Sequence, residues 1–148
     1  MSMAEHDDQF PDAAEVLFRQ VYPNWLTEDG QPSSQAFYPW REVDKGCLSV
    51  DRSTLTTPAE AHALFTAPKP AGFEQASAGV WGLSITEVVE VGIAPRPDRI
   101  DATHEYPENP AHALLEYPSA NPKGWKGLGR RLKVKAADRG CLHPKDER

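Results

Sequence analysis

The chain has 148 residues, 39% of them apolar, and a formal net charge of −6, which suits one folded domain and excludes a disordered chain of low hydrophobicity. No apolar run approaches the roughly 18 residues of a membrane helix, which excludes a helical spanning segment. Fourteen prolines, near twice the average share of about 5%, fix φ and remove backbone donors, so long helices and wide sheets are disfavoured.

Met1 to Pro11 reads as a frayed acidic arm, with the domain running from residue 12 to 148. Asp12 offers an N-cap with Glu15 three residues on. The run V-L-F-R-Q-V-Y follows. Helical spacing would group Ala14, Leu17, Phe18 and Val21, but β-branched and aromatic residues favour a strand ending before Pro23. Alternation then puts Val16, Phe18, Gln20 and Tyr22 on one face and Leu17, Arg19 and Val21 on the other. Asn24 to Ser34 is loop, punctuated by Asp29-Gly30. Two short strands are expected at S-S-Q-A-F-Y-P and G-C-L-S-V, joined by the polar link Trp40 to Lys45. Thr57-Pro58-Ala59-Glu60 has a cap, a proline at N1 and a glutamate at N3, so a capping box opens a helix to about Phe65. That helix should bury Ala61, Leu64 and Phe65.

Ala78 to Ile93 is the most apolar stretch. Val80, Leu83 and Ile85 read as a buried strand, Thr86 as an N-cap, Glu87 to Val91 as a short helix, and Gly92 as its stop. Four prolines between residues 93 and 110 forbid regular structure there. Ala111 to Tyr117 reads as a strand closing the sheet. Lys123 to Arg139 is a basic helix stopped by Gly140, with Trp125, Leu128 and Leu132 as an apolar stripe. Gly124, Gly127 and Gly129 each cost about 1 kcal/mol of helix propensity, so an irregular N-terminal half is expected. The expected fold is α+β: a small, mostly antiparallel sheet of about four to six strands, two or three short helices, Pro-rich loops and a basic C-terminal helix.

Charge is unevenly placed. Residues 123 to 148 hold nine Lys/Arg against three Asp/Glu, a balance of +6, and the rest holds seven against nineteen, a balance of −12. The basic segment suits nucleic acid or an acidic protein face, while the acidic body argues against broad wrapping of nucleic acid. Trp125, Lys126, Arg130, Arg131, Lys133 and Lys135 are its candidate binding residues; the bland alternative is a solvated helix face. Cys47 and Cys141 lie far apart, and the acidic opening lacks an apolar signal segment, which points to a cytoplasmic protein with reduced thiols. Cys141-Leu142-His143 has no partner motif of metal-ligand spacing, so no metal is expected.

Arg19, on the first strand, is an anion fork or half of an ion pair. Ser34 sits where a polar pocket or a turn would need a hydroxyl. His112 is a general base or a satisfied core histidine. With Glu87, these form a candidate catalytic set. The opening L-F-R-Q-V, the later S-S-Q-A-F and a late glutamate resemble ADP-ribosyl-transferase-like and related NAD-cleaving folds. Those folds place Arg or His on strand one, a hydroxyl residue mid-sheet and a Glu late. That resemblance implies NAD as a cofactor or substrate, handled by Arg19, Ser34, His112 and Glu87. The strings R-Q-V-Y-P, S-S-Q-A-F-Y-P, G-V-W-G-L-S-I-T-E-V and N-P-A-H-A-L-L are similar to a recurring type of small bacterial protein, which implies a compact domain and no mechanism.

Three functions follow as expectations. The first is a non-enzymatic, cofactor-free accessory module of a multi-component bacterial system, which binds a partner protein through loop aromatics and the basic segment. The second is an enzyme or toxin handling NAD or a phosphorylated ligand. The third is nucleic-acid binding through residues 123 to 135.

Overall fold

Among the described residues, six strands form one sheet: β1 (Val16–Val21), β2 (Cys47–Arg52), β3 (Gly79–Ser84), β4 (Ala94–Pro97), β5 (His112–Glu116) and β6 (His143–Pro144). Every pairing is antiparallel, in the order β4-β5-β2-β1-β3-β6. Three α-helices of the described residues accompany it, α1 (Pro58–Thr66), α2 (Ile85–Glu90) and α3 (Trp125–Arg139). This is an α+β fold with a small sheet. The computed structural model describes residues 10–40 and 45–144. Residues 1–9 of the expected arm, 41–44 of the expected polar link and 145–148 lie outside the described residues. Within that arm Phe10 is buried, with the Arg52 guanidinium 4.6 Å from its ring centroid.

The alternation along β1 sets the two layers. Leu17 and Val21 face the main core with Leu48, Val50, Leu83, Ala113 and Leu115, and α2 and α3 cover that face through Ile85, Val88, Leu132 and Ala136. Phe18 faces the other side, where it packs with Val80 and with Ala61 of α1. Leu64 and Phe65, expected to be buried, are only half-buried, because α1 covers part of that face and leaves the rest open.

Some elements depart from the expectation. Ser33 to Pro39 is not a strand: Ser34–Phe37 form a 3₁₀ turn. The turn aims the Ala36 carbonyl at Arg19 Nε (2.7 Å) and the Phe37 carbonyl at the Tyr117 hydroxyl. The proline-rich stretch does hold a strand. Ala94 and Arg96 face Glu116 and Leu114 of β5 in register, and Asp98 N donates to His112 O. Pro95 and Pro97 fall on the alternate parity, where the missing N–H would have pointed off the edge of the sheet. So β4, not β5, closes this side.

The cap of α2 is Ser84 rather than Thr86. Ser84 Oγ accepts from Glu87 N (3.1 Å), and the Glu87 carboxylate accepts from Ser84 N (2.8 Å). Thr86 Oγ1 instead donates to Ala13 O. Lys123 and Gly124 fall in a 3₁₀ turn (Pro122–Gly124), but from Trp125 onward α3 is regular through Gly127 and Gly129, and at Gly129 the missing side chain allows a close approach. A Cβ there would lie 2.8 Å from Tyr38 Cδ2 and 3.1 Å from Phe37 O.

Candidate functional site

β1 and β2 touch in register only at Leu17↔Arg52 and Phe18↔Asp51. Beyond that point β1 stays with β3 as far as Val21↔Gly79, and β2 stays with β5 as far as Cys47↔Glu116. The two central strands therefore part company. Arg19 spans the gap: its Nη1 donates to Ser49 O (3.0 Å), its Nε to Ala36 O, and its guanidinium lies 5.5 Å from the Trp25 ring centroid. A hollow of about 600 Å³ opens beside this gap. Its floor carries Phe18, Gln20, Ser49, Asp51 and His112, all of one alternation parity with Phe18. Leu64 and Phe65 of α1 wall one side, Ile100, Tyr106 and Asn109 the other, and Tyr22, Trp25 and Trp40 add further aromatic lining.

The polar groups of the floor are tied to that lining. Asn109 Nδ2 donates to Asp51 Oδ1 (2.9 Å), while Asn109 Oδ1 accepts from Ala111 N (3.1 Å). Burial pushes the Asp51 carboxyl above its ordinary range, against the opposing pull of the Asn109 bond and of His112, its register partner on β5. His112 Nδ1 lies 3.0 Å from both Asp98 O and Asp98 Oδ2. Two acceptors there hold the proton on Nδ1, which makes Nε2 an acceptor in the neutral ring. Gln20 is 7% exposed; its Oε1 accepts from Ser77 Oγ (2.7 Å) and its Nε2 has no partner. A buried polar atom left unpaired is costly and asks for a reason.

Lys69 also lines the hollow. Its ammonium donates to the carbonyls of Leu64, Phe65 and Ala67, closing the C-terminal end of α1 where those acceptors would otherwise be orphaned. Burial lowers the pKa of this lysine. Cys47 is a half-buried lining residue whose thiol is pushed up, first by burial and then by Glu116.

Of the four residues of the candidate catalytic set, the structure brings Arg19 and His112 to one hollow. Ser34 lies on the 3₁₀ turn and Glu87 on α2; neither is among the lining residues. Glu87 is tied into its helix cap and paired with Arg139 (2.9 Å). Burial raises its pKa, but the bonds from Arg139 and Ser84 outweigh that and hold the carboxyl low. On α3, Lys126, Arg130, Arg131 and Lys135 are exposed and Lys133 is half-buried. Trp125 is docked: its Nε1 donates to Pro118 O (2.7 Å), its ring meets Tyr117 edge-on, and a Cβ on Gly46 would lie 3.3 Å from it. Its indole is held by the body of the protein rather than offered for stacking.

Among the described residues, no group of three or more His, Cys, Asp or Glu side chains is placed to hold a metal ion. None of their helices is long and apolar enough to cross a membrane. Sequence reasoning missed Asp51, Asn109 and Gln20. Only Gln20 was detectable, as an amide on the apolar face of a core strand. Asp51 and Asn109 lie 58 positions apart, and no local pattern joins them. The chain matches no family model, no curated protein and no solved structure.

Proposed function

We propose that this chain binds a small organic molecule in the hollow between α1 and the segment 100–109. One observation carries the reading: a concave site of about 600 Å³ whose mostly aromatic and aliphatic lining surrounds a few convergent polar groups, Asp51, His112 and Gln20. Ligand sites have that size and that mixture, roughly 300–1,000 Å³ with a small number of placed polar atoms. The unpartnered Gln20 amide supports the same reading, since a ligand atom would complete it. The carboxylate of Asp51 beside an imidazole steadied by Asp98 is also able to exchange protons with a bound molecule.

This reading shares its hollow with the expected NAD- or phosphate-handling enzyme. It does not share the four-residue set, because Arg19 gives hydrogen bonds to backbone carbonyls and Ser34 and Glu87 lie elsewhere. The test is a fragment library screened by thermal shift, with Trp25 and Trp40 as fluorescent reporters of the lining. Ser49→Phe plugs the floor from a solvent-exposed position on β2, so it should keep the melting temperature of the free protein and abolish the shifts. No hits, or hits indifferent to Ser49→Phe, would contradict the proposal.

A second reading is supported by the run of exposed cations on α3. There Lys126, Arg130, Arg131 and Lys135 would meet an acidic partner protein or nucleic acid, making the chain an accessory module. Binding through them should fall steeply with salt, log K declining with log salt by a slope close to the number of phosphates contacted if the partner is nucleic acid. Salt-insensitive binding, or binding unchanged when Arg130 and Arg131 become Gln, would remove it.

A further inference from the structure

We infer that the hollow selects an organic cation that also carries a neutral hydrogen-bond acceptor, with the cationic N–H group against Asp51 and the acceptor against Gln20. This rests on the ligand-binding reading above and names the ligand's class.

The charges of the lining argue for it. An anion would be read by Arg19 and Lys69, the arginine and the lysine that line the hollow. Arg19 already bonds the carbonyls of Ala36 and Ser49, and Lys69 those of Leu64, Phe65 and Ala67. Asp51 is in the opposite position. It takes its hydrogen bond from a neutral amide, Asn109, its charge partner is the His112 imidazole, which is itself bonded to Asp98, and no lysine or arginine among the described residues forms an ion pair with it. A half-buried carboxylate without a strong counter-ion is under-stabilised, and a bound cation supplies what the protein does not.

The aromatic wall argues the same way. The faces of tryptophan, tyrosine and phenylalanine attract cations within about 6 Å of the ring centroid. Two rings of this lining already do so within the protein: Trp25 carries Arg19 at 5.5 Å and Phe65 carries Lys69 at 5.9 Å. Tyr22, Trp40 and Tyr106 line the same space.

Gln20 supplies the second half. Its Nε2 is a buried donor with no partner, so the group that completes it is an acceptor. Phe18 faces Asp51 in register and Gln20 lies two residues on along the same face. Diagonal neighbours on paired strands are about 7–8 Å apart, and the parting of β1 from β2 lengthens that. Cation and acceptor therefore sit at opposite ends of a molecule about the length of one substituted ring.

The test uses four matched probes by isothermal titration calorimetry on the full chain: 4-(aminomethyl)benzamide, benzylamine, 4-methylbenzamide and 4-methylbenzoate. The aminomethyl amide should bind at least about tenfold more tightly than any of the other three, each of which lacks one end or reverses the charge. Asp51→Asn, which keeps the bond from Asn109, should weaken that amide about tenfold and leave 4-methylbenzamide unchanged. If 4-methylbenzoate binds as well as the amines, or if Asp51→Asn changes nothing, the hollow does not select cations and the inference fails while the ligand reading stands. If no probe binds, fragment hits blocked by Ser49→Phe decide: cations sensitive to Asp51→Asn sustain the inference, and neutral or anionic hits overturn it. Absence of any such hit removes the ligand reading itself.

Discussion

The Glu15 carboxylate is shut off from solvent, and Arg52 holds both its oxygens at 3.0 and 2.9 Å. Thr54 Oγ1 adds a third bond at 2.9 Å. Burial pushes this carboxyl up, but the bonds from Arg52 and Thr54 together outweigh it and leave the pKa below the ordinary value. A carboxyl lowered in the folded state contributes stability that is present above its unfolded pKa, about 4.3, and is lost as pH falls through the folded pKa. Glu15→Gln should therefore flatten the acid limb of stability against pH in urea melts. At neutral pH it should cost about 3 kcal/mol, the lower end for breaking a buried pair, because the Arg52 side chain keeps 14% of its exposure. Asp51 has the opposite sign. Its pKa is raised by burial, so its charged form costs stability as pH rises through the window between the unfolded and the folded value. Asp51→Asn should raise the urea midpoint at neutral pH and give no gain below the carboxylate range. A loss at neutral pH would mean that Asp51 is a structural residue, not one kept for a ligand.

At the scale of elements, α3 separates what a helix wants from what its neighbours allow. Gly127 and Gly129 are both poor helix formers, and propensity treats them alike. A Cβ at Gly127 meets nothing nearer than Arg130 Nη2 at 4.0 Å, whereas one at Gly129 meets Tyr38 and the Phe37 carbonyl. Gly127→Ala should stabilise by up to about 1 kcal/mol. Gly129→Ala should destabilise by about 1–3 kcal/mol as the helix is forced off the 3₁₀ turn. Thermal melts of the pair check both signs. The same contrast explains how much of the fold could be read in advance. The alternation in V-L-F-R-Q-V, the Thr57-Pro58 start of α1 and the glycine stop at Gly92 depend on neighbours in sequence, and each is found. Ser34–Phe37 has strand-like composition, but its carbonyls are claimed by Arg19 and Tyr117, 17 and 80 positions away. Pro95 and Pro97 read as breakers until the parity of their pairing with β5 is known. Asp51 was illegible for the same reason: its burial, its bond to Asn109 and its place opposite His112 exist only after β2 and β5 pair.

For the molecule as a whole, the parting of β1 from β2 is what joins the fold to the proposed ligand site. A sheet paired along its full width would have closed the floor beneath α1. Here the core face stays sealed by α2 and α3, Arg19 ties the two diverging strands, and the opposite face keeps a hollow with an aromatic wall. The acidic body and basic α3 add a second surface, outward-facing and separate from that lining. Amide chemical-shift mapping with 4-(aminomethyl)benzamide locates binding without altering a residue. A ligand seated in the hollow should concentrate the shifts at Phe18–Gln20, Ser49–Asp51, Asn109 and His112 and leave α3 from Lys126 to Lys135 unmoved. Shifts confined to α3, or none at concentrations where related fragments bind, would contradict that seating.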